Sequence, residues 1–192
     1  MTEQQREIFE VLKVFDRFCT EHSLRYWITG GTLLGAVRHG GFIPWDDDVD
    51  VEMPLADYRR FLSLSGELPE HHVIQNREGD PQYPLLFSKL CNTALPFYSR
   101  YRKAPLGVHI DVFPLIPAKA LTTRTKASFS LIREIEYVLR GKTGWREYIP
   151  NGRAARAAYH LLMLLPVKML DRIQRRAANR IYDPAGKMFC SI

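Results

Sequence analysis

The stretch Gly30-Gly-Thr-Leu-Leu-Gly-Ala-Val-Arg-His39, followed by Phe42-Ile-Pro-Trp-Asp-Asp-Asp-Val-Asp50, governs how the rest of the chain is read. Four carboxylates fall within residues 46–50. Bringing that much like charge together is unfavourable unless something compensates it, and a divalent cation is the usual answer. Residues 48–53 alternate acidic and apolar with the period of a strand. Asp48 and Asp50 then share one face, while Val49 and Val51 pack on the other. Two carboxylates so spaced can share Mg²⁺ (or Mn²⁺), which makes Asp48 and Asp50 the expected ligands. Asp46 is expected to support them from outside the coordination sphere, and Asp47 to point away.

Upstream, a strand-like run over 25–29 stops at Gly30-Gly31, and Thr32 is placed to cap a helix over 33–38. Glycines at such a junction let the backbone approach a phosphate, and free N–H groups at a helix start attract anions. Taken alone, the same three residues also describe an ordinary turn. Downstream, Gly107-Val-His-Ile-Asp-Val-Phe113 reads as a strand over 106–113, with Asp111 bracketed by Ile110 and Val112 and with His109 on its face. Pro54 is expected to open a helix over 55–64, and further strands are expected at 71–75 and 85–91.

Other readings of the acidic run compete. A calcium loop starting at Asp46 needs glycine at 51 and glutamate at 57, where the chain has Val51 and Asp57. A solvated acidic loop fits poorly with the apolar Trp45, Val49, Val51 and Met53, which place the run at the edge of a core. The Asp-x-Asp element of sugar-nucleotide glycosyltransferases is the strongest rival.

The 192 residues suffice for one domain with a sizeable core. Residues 1–120 carry 13 basic and 16 acidic side chains, and residues 121–192 carry 14 and 5. The second part reads as a basic helical region, with helices over 122–140 and 153–182 separated by the loop at 141–152. Its charge suits an anionic surface such as phosphate or phospholipid, or simply a solvated helix face. The apolar core at 161–167 is too short to span a bilayer and is interrupted by Pro166, so it reads as a buried or hairpin-forming helix that leaves peripheral membrane contact open. The aromatics of these helices form no interleaved stacking pattern, which argues against nucleic acid. Three scattered cysteines and the lack of an apolar leader point to a reducing, cytoplasmic setting, with association at the inner face of the membrane compatible with it.

A strand ending in Gly-Gly, an Asp-x-Asp strand and a third strand carrying an aspartate are the ordered signature of the nucleotidyltransferase fold. With Tyr26-Trp27, the 30–39 and 42–50 blocks and His109-Ile-Asp-Val-Phe-Pro114, residues 5–117 resemble the LicD family of phosphocholine transferases and the more distant fukutin-type ribitol-phosphate transferases. The resemblance implies an α+β fold, a small mixed sheet flanked by helices, with a catalytic core at 1–120 and a helical extension at 121–192. It makes Asp48, Asp50 and Asp111 the catalytic and metal-binding triad, and Gly30, Gly31 and Thr32 the nucleotide-phosphate loop. Lys89 matches a lysine in the corresponding stretch, where it would touch either phosphate or a carboxylate. Asp111 or His109 would accept the acceptor's proton. The implied donor is CDP-choline or a CDP-alditol, and the acceptor is a hydroxyl of a surface glycan or glycolipid such as lipopolysaccharide or teichoic acid. The same carboxylates would also serve a nucleotidyltransferase using NTP. Family members are usually longer at the C-terminus, so an inactive nucleotide-binding relative is a further alternative.

Overall fold

The computed structural model describes residues 1–97, 103–145, 151–186 and 188–191. Helix α1 (Glu3–Glu21) opens the chain behind a capping box, in which the Thr2 hydroxyl accepts from the Gln5 N–H and the Gln5 side chain accepts from Thr2. Then follow β1 (Trp27–Ile28), α2 (Gly30–His39), β2 (Asp50–Pro54), α3 (Leu55–Ser63) and a 3₁₀ turn, Ser65–Glu67. Strands β3 (His72–Gln75), β4 (Ser88–Asn92) and β5 (Val108–Ala118) complete the main sheet. Helices α4 (Thr123–Thr143), α5 (Arg153–Met163) and α6 (Val167–Ile181) precede β6 (Met188–Ser191).

The strand order is β1-β2-β5-β4-β3, with β6 paired to the far end of β5. Among the described residues only β2 and β5 run parallel, and the other pairings are antiparallel. This is the mixed α+β sheet expected from the sequence. The alternation along β5 explains its two faces. Val108, Ile110 and Val112 are buried against α1 and α3 in one core with Ile8, Val11, Phe15, Phe61, Val51 and Leu90. His109, Asp111 and Phe113 face the other way, and Phe113 lies 4.2 Å from the Phe87 ring. A wholly buried anchor such as Phe15 is worth about 3–5 kcal/mol against alanine.

Several element boundaries differ from the sequence reading. β5 runs on through Pro114 and Pro117 rather than stopping at 113. Proline lacks a ladder donor, but among the described residues Pro114 pairs with Met53 alone, because the β4 pairing ends at Val112 and the β6 pairing begins at Leu115. The helix expected over 153–182 is two helices, broken before Pro166, which caps α6. α3 begins at Leu55 as expected, with Pro54 as its N-cap, and ends one residue early at Ser63. Trp45 does not join the core. It is 82% exposed, on the outside of a turn closed by the Asp46 N–H donating to the Ile43 carbonyl at 3.0 Å.

The C-terminal helices are tied to the sheet by a largely buried arginine. Arg77 donates to Asp171 at 3.0 Å, to the Gln174 amide oxygen at 2.9 Å and to the carbonyls of Tyr83 and Pro84. Gln174 is itself wholly buried and donates to the Ile132 carbonyl, linking α6 to α4. Arg77→Met should therefore strand several acceptors and lower stability by about 3 kcal/mol. Thermal unfolding should show a Tm lower by roughly 6–12 °C.

No helix among the described residues is long and apolar enough to cross a membrane. Leu161, Leu164 and Met169 are nevertheless exposed around the α5–α6 corner, beside exposed Lys168 and Arg172.

Candidate active site

One row across the sheet carries the charged groups. Asp50 of β2 is the register partner of Asp111 of β5, and Asp111 is the register partner of Lys89 of β4. Lys89 pairs with the Asp111 carboxylate through Nζ and Oδ1, and both side chains are largely buried. The carboxylate is one of the two partners the sequence left open for Lys89. A lysine buried this deeply needs such a counter-charge.

The parallel pairing continues one step upstream of β2, where the Asp111 N–H donates to the Val49 carbonyl at 2.8 Å. Burial also keeps alternating back to Asp48, with Val49 buried between two solvent-reached aspartates. At Asp46 and Asp47 the strand period is lost, because the Pro44-Trp45 turn intervenes. Asp47 consequently does not turn away. Carboxylate oxygens of Asp46, Asp47 and Asp48 all come within 4.8 Å of one another, a grouping suited to a cation.

The glycine pair sits directly against these acids. Gly30 adopts φ +55°, and a Cβ there would lie 3.1 Å from Asp50 Oδ2. A Cβ on Gly31 would lie 2.9 Å from Asp46 Oδ2. Side chains at either position would push the carboxylates off the start of α2. That helix begins three residues earlier than expected and is capped by Thr29, which makes no side-chain cap bond. Thr32 therefore lies within the first turn, and its hydroxyl accepts the Asp50 N–H at 2.9 Å. The start of this helix thus lies against the acidic row, and a helix start of this kind favours anions.

Crowding shows in the acidities. Asp50 is pushed up from 3.8 to about 7, first by burial and then by the charges of Asp48 and Asp111, with Lys89 pulling the other way. Asp48 is pushed up to about 6 by burial, Asp46 and Asp111. Hard oxygen donors that resist ionising together fit a divalent cation, which would hold all of them charged. His109 is pushed down to about 4 by burial and by Lys89, against the pull of Asp111. Its Nδ1 lies 3.0 Å from the Gly107 carbonyl, which leaves Nε2 facing Asp111 Oδ1 at 3.8 Å.

A sign follows for stability. Asp50 holds its proton in the folded chain up to about pH 7 and loses it near 3.8 in the unfolded chain. Folding therefore takes up a proton in that window, and stability without cation falls as pH rises through it. Mg²⁺ competes with those protons, so the rise in Tm on adding Mg²⁺ should be larger at pH 8 than at pH 5. Differential scanning fluorimetry at the two pH values checks this.

Gln5 is a contributor the sequence did not reveal. Buried at 3% exposure, its Nε2 lies 2.9 Å from the Asp46 carbonyl, 3.2 Å from that of Ile43 and 3.4 Å from that of Pro44. It clamps the backbone of the acidic loop to α1. The only hint in the sequence is a glutamine three residues after Thr2, which reads as a helix cap and says nothing of the loop.

A glycine-floored helix start facing carboxylates on two parallel strands of a mixed sheet defines a nucleotidyltransferase-type domain. The family described as LicD/FKTN/FKRP, nucleotidyltransferase domain, matches residues 23–137, and the chain belongs to it. Among curated relatives, the lipopolysaccharide cholinephosphotransferase LicD of Haemophilus influenzae is 36% identical over 121 residues, covering 61% of this chain and 45% of that protein. The human ribitol 5-phosphate transferase FKRP is 54% identical over 101 residues, 53% of this chain and 19% of that protein. Mannosyltransferase regulator 4 of Saccharomyces cerevisiae is 24% identical over 125 residues, 62% of this chain and 10% of that protein. The chain thus spans less than half the length of these relatives.

Proposed function

We propose that this domain transfers a substituted phosphate, phosphocholine or an alditol phosphate, from a CDP-linked donor to a hydroxyl of a glycan or glycolipid. The observation that carries the reading is the in-register row Asp50, Asp111 and Lys89 beside the glycine-floored start of α2. The relatives' names, a cholinephosphotransferase and a ribitol 5-phosphate transferase, supply the substrate classes.

The acceptor oxygen bonds to the distal phosphorus, the bridging P–O bond to CMP breaks, and the hydroxyl proton passes to a base. Asp48, Asp50 and Asp111 would hold the divalent cation, Mg²⁺ or Mn²⁺, with Asp46 and Asp47 in reach, and its charge would offset that of the diphosphate and of the departing CMP. The N–H groups at the start of α2 bind phosphate oxygens and keep the reacting atoms in line. Asp111 accepts the proton. His109, whose Nε2 faces Asp111 Oδ1 at 3.8 Å, braces that carboxylate. Incubation with CDP-choline, CDP-ribitol, CDP-glycerol or CTP and Mg²⁺ tests the reading. CMP appearing with a CDP donor supports it, whereas pyrophosphate from CTP assigns the site to nucleotidyl transfer.

A lipid-linked acceptor fits the α5–α6 corner, where Leu161, Leu164 and Met169 are exposed next to Lys168 and Arg172. Apolar tips flanked by cations suit an anionic bilayer surface. The protein should float with phosphatidylglycerol-containing vesicles and not with purely phosphatidylcholine ones. Equal recovery with both removes this surface from the reading.

A further inference from the structure

Away from the acidic row, a cleft of about 300 Å³ opens where α6 meets the end of α4 and the segment 77–84. Arg77, Lys168, Asp171, Arg172 and Arg175 line it, together with Tyr83. Lys168, Arg172 and Arg175 recur at helical spacing and so stand on one stripe of α6. The Asp171 carboxylate is divided between two of the cations: Arg77 reaches one oxygen at 3.0 Å and Arg175 the other at 2.9 Å. One negative charge cannot neutralise both guanidiniums, and Lys168 and Arg172 add two more positive charges to the same wall. Arg77 bears most of the imbalance, since only 11% of its side chain is exposed. Burial pushes its pKa down, and Asp171 pulls it back up. The start of α6 adds donors. The N–H groups of Val167 and Lys168, both at the cleft, lie before the first helical bond and have no carbonyl to meet within α6. Tyr83 ties the cleft to the reacting side of the sheet. Its ring meets Trp145 edge-on at 5.0 Å, in a cluster with Phe87 that rests on Phe113, two residues beyond Asp111 on the same face of β5.

We infer that this cleft binds a phosphate monoester, as a second anion site separate from the acidic row. The assignment does not depend on the proposed transfer. Guanidinium and ammonium groups converging with helix N–H donors complement a phosphate, whose oxygens accept several charge-assisted hydrogen bonds at once. A dianionic monoester offsets more of the positive charge than a singly charged diester. Arg77 is fixed to the Tyr83 and Pro84 carbonyls and to Gln174, so it supplies charge from behind. Lys168, Arg172 and Arg175 are exposed and can close on the ligand. A phosphate monoester occurs on a lipid headgroup and on a soluble phosphate ester alike. Leu164 and Met169 are exposed at the α5–α6 corner beside Lys168, which is compatible with the lipid source.

Three forms of the whole chain test it: wild type, the pair Lys168→Gln with Arg172→Gln, and a charge-matched control, Lys126→Gln with Arg176→Gln. All four positions are exposed, so each form should fold, and the control pair lies outside the cleft. Glycerol 3-phosphate is titrated without divalent cation, where the acidic row repels phosphate, and the Val167 backbone amide signal is followed by NMR. A saturable shift is expected in wild type and control, with Kd raised at least about fivefold in the cleft pair. No saturable shift in wild type, or equal weakening by both pairs, overturns the site. Flotation with vesicles containing phosphatidic acid or phosphatidylglycerol, matched in surface charge, then distinguishes the sources. A preference for phosphatidic acid that the cleft pair abolishes supports the site with a lipid headgroup as its ligand. No preference, with the glycerol 3-phosphate shift present, supports it with a soluble ester.

Discussion

Asp50→Asn is expected to reduce CMP release from the CDP donor by at least roughly 10³-fold, while the Tm without cation at pH 8 stays level or rises. The two effects have one origin. At pH 8 the wild-type Asp50 is ionised against burial and against the charges of Asp48 and Asp111, which is why its pKa stands near 7. Asparagine removes that charge at nearly constant shape, so the apoprotein is relieved of repulsion. The Asp50 N–H bond to the Thr32 hydroxyl belongs to the backbone and survives. With one of the proposed ligands neutral, the site would lose several kcal/mol of charge stabilisation in transfer, and about 4 kcal/mol corresponds to ~10³-fold. Stabilisation by Mg²⁺ should shrink in parallel. CMP release and thermal melts with and without Mg²⁺ give both readouts, and a fully active variant would remove Asp50 from the ligand set.

Lys89→Met should do the opposite to stability. Lys89 is 7% exposed and supplies the cation paired with Asp111, directly beside Asp50. Removing it leaves a largely buried carboxylate uncompensated, at a cost of about 3–5 kcal/mol. Its charge also holds the Asp50 pKa down, so without it Asp50 keeps its proton to higher pH. The acidic limb of the pH–rate profile should therefore move upward, with activity at pH 6.5 falling more than activity at pH 8.5. Saturating Mg²⁺ should restore part of the lost Tm, because the cation replaces the missing positive charge. An unchanged Tm together with an unchanged pH profile would mean that Lys89 does not balance this row.

How much was legible before folding differs from residue to residue. The alternation over 48–53 announced β2, found at Asp50–Pro54, because burial on a strand has a period of two, and that period is local. The start of α2 was misplaced because Thr32 is a good capping residue by type. In the folded chain its hydroxyl is engaged by the Asp50 N–H, and the unremarkable Thr29 takes the cap position. The strand expected over 106–113 runs on through Pro114 and Pro117, because a sequence does not say where neighbouring strands stop. Asp47 was expected to point away on the strength of a strand period that the Pro44-Trp45 turn interrupts.

The sequence by itself determined the chemistry available: a glycine pair before a helix, a run of aspartates beside apolar residues, and a lone aspartate on a later apolar strand. Residue type and short-range period carry that information. Only the tertiary structure decided which groups meet. The Asp50–Asp111–Lys89 row depends on the register of three strands distant in sequence, and no local pattern encodes register across such a gap. The same holds for the Gln5 clamp on the acidic loop. Those contacts exist because α1 packs its apolar face on the sheet, which brings its polar start to the mouth of the site.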